Sequence, residues 1–307
     1  MRYSLRLAYR DHDRTPLLFV IRDQAARFED LDVEVQHVPG GEDYRRGFLA
    51  GDCDLICEHL RFLFPSRLQG HPVRCLAATE LHAVDRLVSL RPIRAAAELA
   101  GTTIAVRDQE SSRLSLAYWL QTLGATDRVK VAVFSDEETG RWEQWRKIGT
   151  GDADVALCSP LYLQAAIATG LVVAELPPLP IVGPLFFATR GPVIRENEGA
   201  IRAFMRALYR GVHAFRNDAG YTQSIMERGP AQLMGLTDRA AIETQYDVLR
   251  ERIAEKPIPG PECILNAFHM VRDELDVAAL NPLEMWDLHY AIELEEQRFM
   301  ETLRSAG

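Results

Sequence analysis

Short apolar runs alternate with longer amphipathic ones through the first half of the chain. LRLAY (5–9), LDVEVQHV (31–38) and CDLICEHL (53–60) predict strands, with helices between them from Thr15 to about Phe28 and near Glu42–Ala50. Strand-sized runs followed by helix-sized ones are the mark of βαβ units on a parallel sheet. The order then repeats: TTIAV (102–106), a helix opening at Ser111–Ser112, VKVAVF (129–134), a helix over Glu137–Ile148 and ADVALCS (153–159). Gly51-Asp52-Cys53-Asp54 leads into LIC, and Gly151-Asp152-Ala153-Asp154 leads into VALC, at equivalent points of the two runs. Gly ends helices and Asp caps turns, so one such corner is ordinary. Its recurrence predicts two lobes built alike. Ala77–Leu90 and Leu179–Thr189 are the predicted crossings, which puts lobe one at residues 1–83 and 188–307 and lobe two at 84–187. Beyond Pro192 the chain reads as helix and ends in NPLEMWDLHYAIELEEQRFMETLR. There Met285, Leu288, Ile292 and Phe299 are expected to form one apolar face packed on a lobe.

These runs carry a resemblance. DVEVQHVPGGEDYRRGFLAGDCDLICEHL, followed by QGHPVRCLAA, AAELAGTTIAV, YWLQTLGA, GTGDADVALCSPLYLQAAIATG and AIRAFMRALYRG, resembles the type II periplasmic-binding-protein family in its sulfonate, nitrate and thiamine-pyrimidine branch. The resemblance spans about residues 4–225 and rests on the order and spacing of its landmarks. It implies an α/β, two-lobed type II periplasmic-binding-protein-like fold with a helical C-terminal region, closing on one small organic anion. The branch contains importer receptors, and the same fold houses cytoplasmic aromatic decarboxylases of the dihydroxyphthalate type, desulfinases and pyrimidine synthases. The opening LRLAYRDHDRT is similar to the first loop of the dihydroxyphthalate decarboxylases, whereas no CCCFC-like cysteine cluster supports a pyrimidine synthase.

Ligands of open α/β lobes bind beyond the carboxyl ends of the parallel strands. That rule selects five segments. After the first strand, His12, Asp13, Arg14 and Thr15 are candidate ligand contacts, with Arg14 able to fork onto a carboxylate or sulfonate; Asp13 and Thr15 also suit a plain helix cap. Gly40 and Gly41 allow close backbone approach to a ligand or make an ordinary turn. Glu58 and His59 end the third strand, and His59 is the candidate general acid or base with Glu58 orienting it; a structural hydrogen-bonding histidine fits the same place. Ser111, Ser112 and Arg113 open a helix, where backbone N–H groups and a guanidinium favour an anion and where serine capping alone also fits. Ser159 and Tyr162 follow the last strand of the second run, one able to donate and the other to stack.

Charge and composition narrow the classes. The chain has 307 residues, 47% hydrophobic and 26% charged, with 35 Lys+Arg against 44 Asp+Glu and a net charge of -9. An acidic chain does not favour nucleic acid or an anionic membrane surface. The longest apolar stretch, Pro180 to Thr189, is too short for a membrane span and is interrupted by Gly183 and Pro184. Five cysteines without CxxC pairing fit a reducing compartment, and the charged N-terminal stretch lacks a leader pattern, so a cytoplasmic location is expected, or a periplasmic one if a leader has been removed. GxGxxG, GxxxxGK[ST], GxSxG and HExxH are missing. No cofactor and no required metal are expected, although convergence of His12, His59 and His82 is left open. Two readings follow. In the first, a cytoplasmic enzyme of decarboxylase or lyase type closes on a small aromatic or heterocyclic carboxylate, with arginines holding the anion and His59 giving the proton. In the second, the chain is the substrate-binding protein of an ABC importer for a sulfonate-, nitrate- or pyrimidine-like ligand, with importer subunits as partners. A homodimer is left open in both.

Overall fold

The computed structural model describes residues 2–58 and 60–305. The chain divides into two compact units, Met1–Leu81 with Ile181–Gly307, and His82–Pro180. The first contains β1 (Tyr3–Tyr9), α1 (Thr15–Phe28), β2 (Leu31–His37), α2 (Gly41–Ala50), β3 (Leu55–Cys57), α3 (Leu63–Leu68) and β4 (Val73–Ala78). The second contains β5 (Arg86–Ser89), β6 (Thr103–Arg107), α4 (Glu110–Thr122), β7 (Lys130–Phe134), α5 (Asp136–Thr139), α6 (Arg146–Gly149), β8 (Val155–Cys158), α7 (Pro160–Ala168) and β9 (Val172–Val173). The chain re-enters the first unit through β10 (Phe186–Arg190). It continues as α8 (Gly191–Glu196), α9 (Glu198–Asn217), α10 (Ala219–Glu227), α11 (Pro230–Leu233), α12 (Arg239–Arg252), α13 (Pro261–His269), α14 (His289–Glu296) and α15 (Phe299–Ser305).

The first sheet has the order β2-β1-β3-β10-β4 and the second the order β7-β6-β8-β5-β9. In each, three parallel strands sit beside an antiparallel fourth: β1 runs parallel to β2 and β3 while β10 opposes β3, and β6 runs parallel to β7 and β8 while β5 opposes β8. All residues of LIC and VALC are buried, as strands covered on both faces require.

The repeated GDxD corners are wired alike. Gly51 and Gly151 take φ of 99° and 79°, a left-handed conformation that glycine reaches without steric cost. The fourth residue then makes a reciprocal clamp on the middle one of the three parallel strands. The Arg6 N–H donates to the Asp54 carboxylate at 2.9 Å while the Asp54 N–H donates to the Arg6 carbonyl at 2.8 Å. In the second unit Thr103 and Asp154 make the same pair of bonds at 2.8 and 2.9 Å. Each corner therefore fixes where the third parallel strand enters its sheet.

Two helix expectations are corrected. The helix expected over Glu137–Ile148 is two single turns, α5 and α6. A capping box between Ser135 and Glu138 starts the first, and Gly140 and Trp142, at φ of 88° and 66°, stop it. The C-terminal helix is also broken: the Asp287 N–H donates to the Cys75 carbonyl at 2.8 Å, and Arg298 takes φ of 51°. Met285 is buried and Phe299 packs on the core as expected, but the breaks reset the helical phase between them, so Tyr290, Ala291, Leu294 and Met300 are buried and Ile292 is 47% exposed.

The core of the first unit joins the sheet to α1 and α9 through Leu7, Leu17, Ile21, Phe204, Leu208 and Phe215. A smaller core in the second unit gathers Val88, Ala105, Trp145, Ala156 and Ala166. Among the described residues, no helix is long and apolar enough to cross a membrane. The α1 and α9 contact is closest at Gly211, where an added Cβ would lie 2.7 Å from Ile21 Cγ1 and 3.2 Å from Ile21 Cα. Glycine to alanine inside a helix normally stabilises by about 1 kcal/mol. At Gly211 overpacking reverses the sign, so Gly211→Ala is expected to destabilise by about 1–3 kcal/mol in urea unfolding. A Gly211→Ala protein as stable as the wild type would contradict this packing.

Candidate functional site

The carboxyl ends of β1, β2 and β3 lie at one edge of the first sheet because the three strands are parallel. A cluster of charges occupies that edge. Arg14, at 2% exposure, ends the turn between β1 and α1, and Glu58, at 1%, follows β3. Their closest approach is 3.6 Å between Arg14 Nη2 and Glu58 Oε1. Arg10 Nε lies 3.4 Å from Glu58 Oε2. Asp11 Oδ2 bridges the two arginines, 3.2 Å from Arg10 Nη2 and 3.2 Å from Arg14 Nη2. A second pair lies alongside: Glu80, fully buried, accepts from Arg252 Nε at 2.6 Å and from the Leu185 N–H at 3.1 Å, and Arg252 Nη2 is 3.6 Å from Asp13 Oδ2.

Burying a charge is costly unless it is paired, and removing one partner leaves the other stranded. Burial works against the Arg14 charge, but the carboxylates of Glu58, Asp13 and Asp11 outweigh it and raise the guanidinium pKa. Arg14 still has spare donor capacity. Its Nε and Nη1 are buried and have no hydrogen-bond partner among the described residues. Accessibility grades across the cluster, since the Arg10 side chain is 23% exposed and that of Asp11 49% exposed. This edge thus carries two arginines, one buried and one partly exposed, bridged by a half-exposed carboxylate.

The residues named from sequence fall as follows. His12 begins the turn after β1, with Nδ1 3.4 Å from the Tyr9 hydroxyl. Its pKa is lowered by burial and by His37, against opposition from Asp11 and Asp13. Thr15 is buried, and its hydroxyl donates to the His12 carbonyl at 2.5 Å. No side chain caps α1, because its N-cap position is Arg14. Gly40 has an extended backbone, φ -79° and ψ 118°, that any residue can adopt. Gly41 matters through proximity, as its Cβ position is 3.4 Å from Arg10 Nη1. His59 lies outside the described residues. Arg10, Glu80 and Arg252 were not singled out from sequence. Arg10 carried a usable signal as the residue directly after β1, whereas the pairing of Glu80 with Arg252 spans 172 positions and had none.

In the second unit, Ser111, Ser112 and Arg113 lie in the first turn of α4, and the N–H groups of Ser112 and Arg113 donate to the Gln109 carbonyl. Arg113 is half-exposed and paired with Asp108 at 2.5 Å. Ser159 is the N-cap of α7 without a side-chain cap bond, and Tyr162 is a half-buried neighbour of the second core. The guanidinium committed most tightly at this edge is Arg107, which holds Asp136 and Gln109 and lies 4.1 Å from the Trp142 ring centroid.

The family model described as NMT1/THI5 like matches residues 27–219, more than half of the chain. The comparison with curated proteins gives no match. Among solved structures, the periplasmic sulfonate-binding protein SsuA of Methylobacillus flagellatus KT is 14% identical, with a TM-score of 0.68 over 98% of this chain and 96% of that one. The periplasmic aliphatic sulphonate binding protein SsuA of Escherichia coli is 15% identical, with a TM-score of 0.62 over 91% and 90%. The desulfurization enzyme DSZB is 14% identical, with a TM-score of 0.57 over 97% and 100%. At these identities the likeness is one of fold: the chain has the two-lobed, type II periplasmic-binding-protein-like α/β fold.

Nucleophilic thiol chemistry on this scaffold would need an accessible thiolate. All five cysteines are free and buried. Burial pushes the Cys53 thiol up to about 11 and the Cys158 thiol up to about 12, and it raises Cys57, Cys75 and Cys263 as well. Among the described residues, no group of three or more His, Cys, Asp or Glu side chains is arranged to hold a metal ion. A disulfide reagent such as DTNB at pH 8 is therefore expected to label no thiol quickly in the folded protein, and all five after unfolding in guanidinium. One thiol reacting at the rate of a free cysteine in the folded state would contradict this burial.

Proposed function

The chain belongs to the NMT1/THI5-like family, and we propose that within it the protein is a substrate-binding protein that captures a small, sulfonate-like organic anion for an importer. The observation that carries the reading is the Arg10 and Arg14 fork with Asp11 bridging it. A carboxylate at 3.2 Å from two guanidinium groups occupies the place an anionic ligand would take. Because Asp11 is half-exposed, it can turn into water when the ligand's oxygens replace it, and the departing carboxylate keeps its solvation. This exchange resolves a difficulty in the charge balance: Arg10, Arg14 and Arg252 face Asp11, Asp13, Glu58 and Glu80, so an added anion is tolerated only if one carboxylate leaves.

Support also comes from the two SsuA structures, which are named as sulfonate-binding proteins. The lyase reading draws no such support, and Glu58 lies within ion-pair distance of Arg10 and Arg14. A periplasmic location and importer subunits as partners accompany the receptor reading, in place of the cytoplasmic location expected from the sequence.

The test is calorimetric titration with propane-1-sulfonate, followed by product analysis after long incubation. Binding without turnover is expected. Charge-assisted hydrogen bonds are worth roughly 1.5–3 kcal/mol, so Arg10→Ala should raise Kd about ten- to a hundredfold. Asp11→Asn should lower it by roughly three- to tenfold, since the ligand no longer competes with a resident carboxylate; this is smaller because the group is half-exposed. Weaker binding by Asp11→Asn, or consumption of the ligand, would refute the reading.

A further inference from the structure

Three rings beside the arginine fork have no part in holding the anion. Tyr9 and His37 are the last residues of β1 and β2 and are register partners, and His12 follows in the next turn. The His12 and His37 centroids are 4.2 Å apart at an interplanar angle of 34°, and those of Tyr9 and His37 are 5.2 Å apart at the same angle. Tyr9 and His12 meet edge-on, 5.9 Å apart at 62°, so His37 is the ring closest to both others; Tyr9 is buried, His12 half-buried and His37 exposed.

Hydrogen bonding orients the outer ring. His37 Nε2 lies 2.8 Å from the Arg10 carbonyl, which can only accept, so Nε2 carries a hydrogen and donates it. The stack is thereby tied to the backbone of the residue whose guanidinium forms the outer arm of the fork. Phe62 adds a further ring, 5.3 Å from the Arg10 guanidinium carbon. The cluster thus presents an imidazole to water beside Arg10. Burial and the neighbouring His37 lower the His12 pKa, against opposition from Asp11 and Asp13.

We propose that the His12 and His37 pair is the ring-binding half of the ligand site, so that the protein takes planar aromatic anions in preference to aliphatic anions of equal charge. The ring of the ligand stacks on His37 and its anionic group reaches Arg10. This inference rests on the receptor reading above and adds the class of ligand to it.

Calorimetric Kd values for benzenesulfonate and propane-1-sulfonate test the two claims separately. The wild type is expected to prefer benzenesulfonate by roughly tenfold, the scale of one ring-stacking contact plus the area it covers. The ratio should fall to near unity in His37→Ala and return in His37→Phe, which restores a ring without the imidazole nitrogens. Binding of both sulfonates by the wild type with equal Kd would leave the receptor reading standing and overturn the ring subsite. An unchanged ratio in His37→Ala, or loss of both ligands together in a His37→Ala protein that still unfolds cooperatively, would also overturn it. Binding of neither sulfonate by the wild type would overturn both.

Discussion

Glu58 and Glu80 are buried carboxylates, and each requires a guanidinium within reach for its burial to be tolerated. Much of the architecture around the carboxyl edge of the first sheet follows from that requirement. The turn after β1 must double back so that Arg14 reaches Glu58. The end of α12 must deliver Arg252 to Glu80, which brings a helix from the last quarter of the chain against the start of the first unit. Position 183 must be glycine, because a Cβ there would come 2.7 Å from Glu80 Cβ. The segment after Arg252 is then held by backbone bonds, Ala254 N–H to the Thr79 carbonyl at 2.7 Å and Ala78 N–H to the Pro257 carbonyl at 3.1 Å. Through Arg252, α12 thus contributes a charge to this edge of the sheet.

The two units share one wiring plan but present different chemistry at their strand ends. Asp54 and Asp154 clamp the middle parallel strand of their sheets in the same way. Beyond β1 and β3 the first unit buries arginine and glutamate together and leaves Arg10 and Asp11 nearer to water. Beyond β6 and β7 the second unit pairs Arg107 with Asp136 and stacks it on Trp142, a bulky residue held at positive φ. Backbone strain of that kind persists only where neighbours over-determine it, and here the cation–π contact contributes. The scaffold repeats; the loops at its edges do not, as expected where loops carry function.

Strand positions were legible in the sequence because buried parallel strands read as short apolar runs, and the GDxD echo marked equivalent corners of two sheets. The position rule for strand ends picked out the Asp11–Thr15 segment and Glu58, which do meet in one cluster. What it missed lay in long-range partnership: nothing local in Glu80 or Arg252 announces the other. His37 was hidden differently, since it ends a strand whose alternating pattern drew attention to its core-facing residues. The C-terminal helix was misread in phase because Arg298 at positive φ and the bond of Asp287 to Cys75 break a run whose composition is helical throughout. Periodicity reports preference along a segment, and tertiary bonds decide where it stops.

The central claim is that Asp11 stands in the anion's place at the Arg10 and Arg14 fork. A crystal structure of the protein grown with benzenesulfonate tests it directly. The account predicts sulfonate oxygens within hydrogen-bond distance of Arg10, the phenyl ring against His37, and the Asp11 carboxylate turned away from both guanidinium groups. A ligand bound elsewhere, with Asp11 still bridging Arg10 and Arg14, would contradict it.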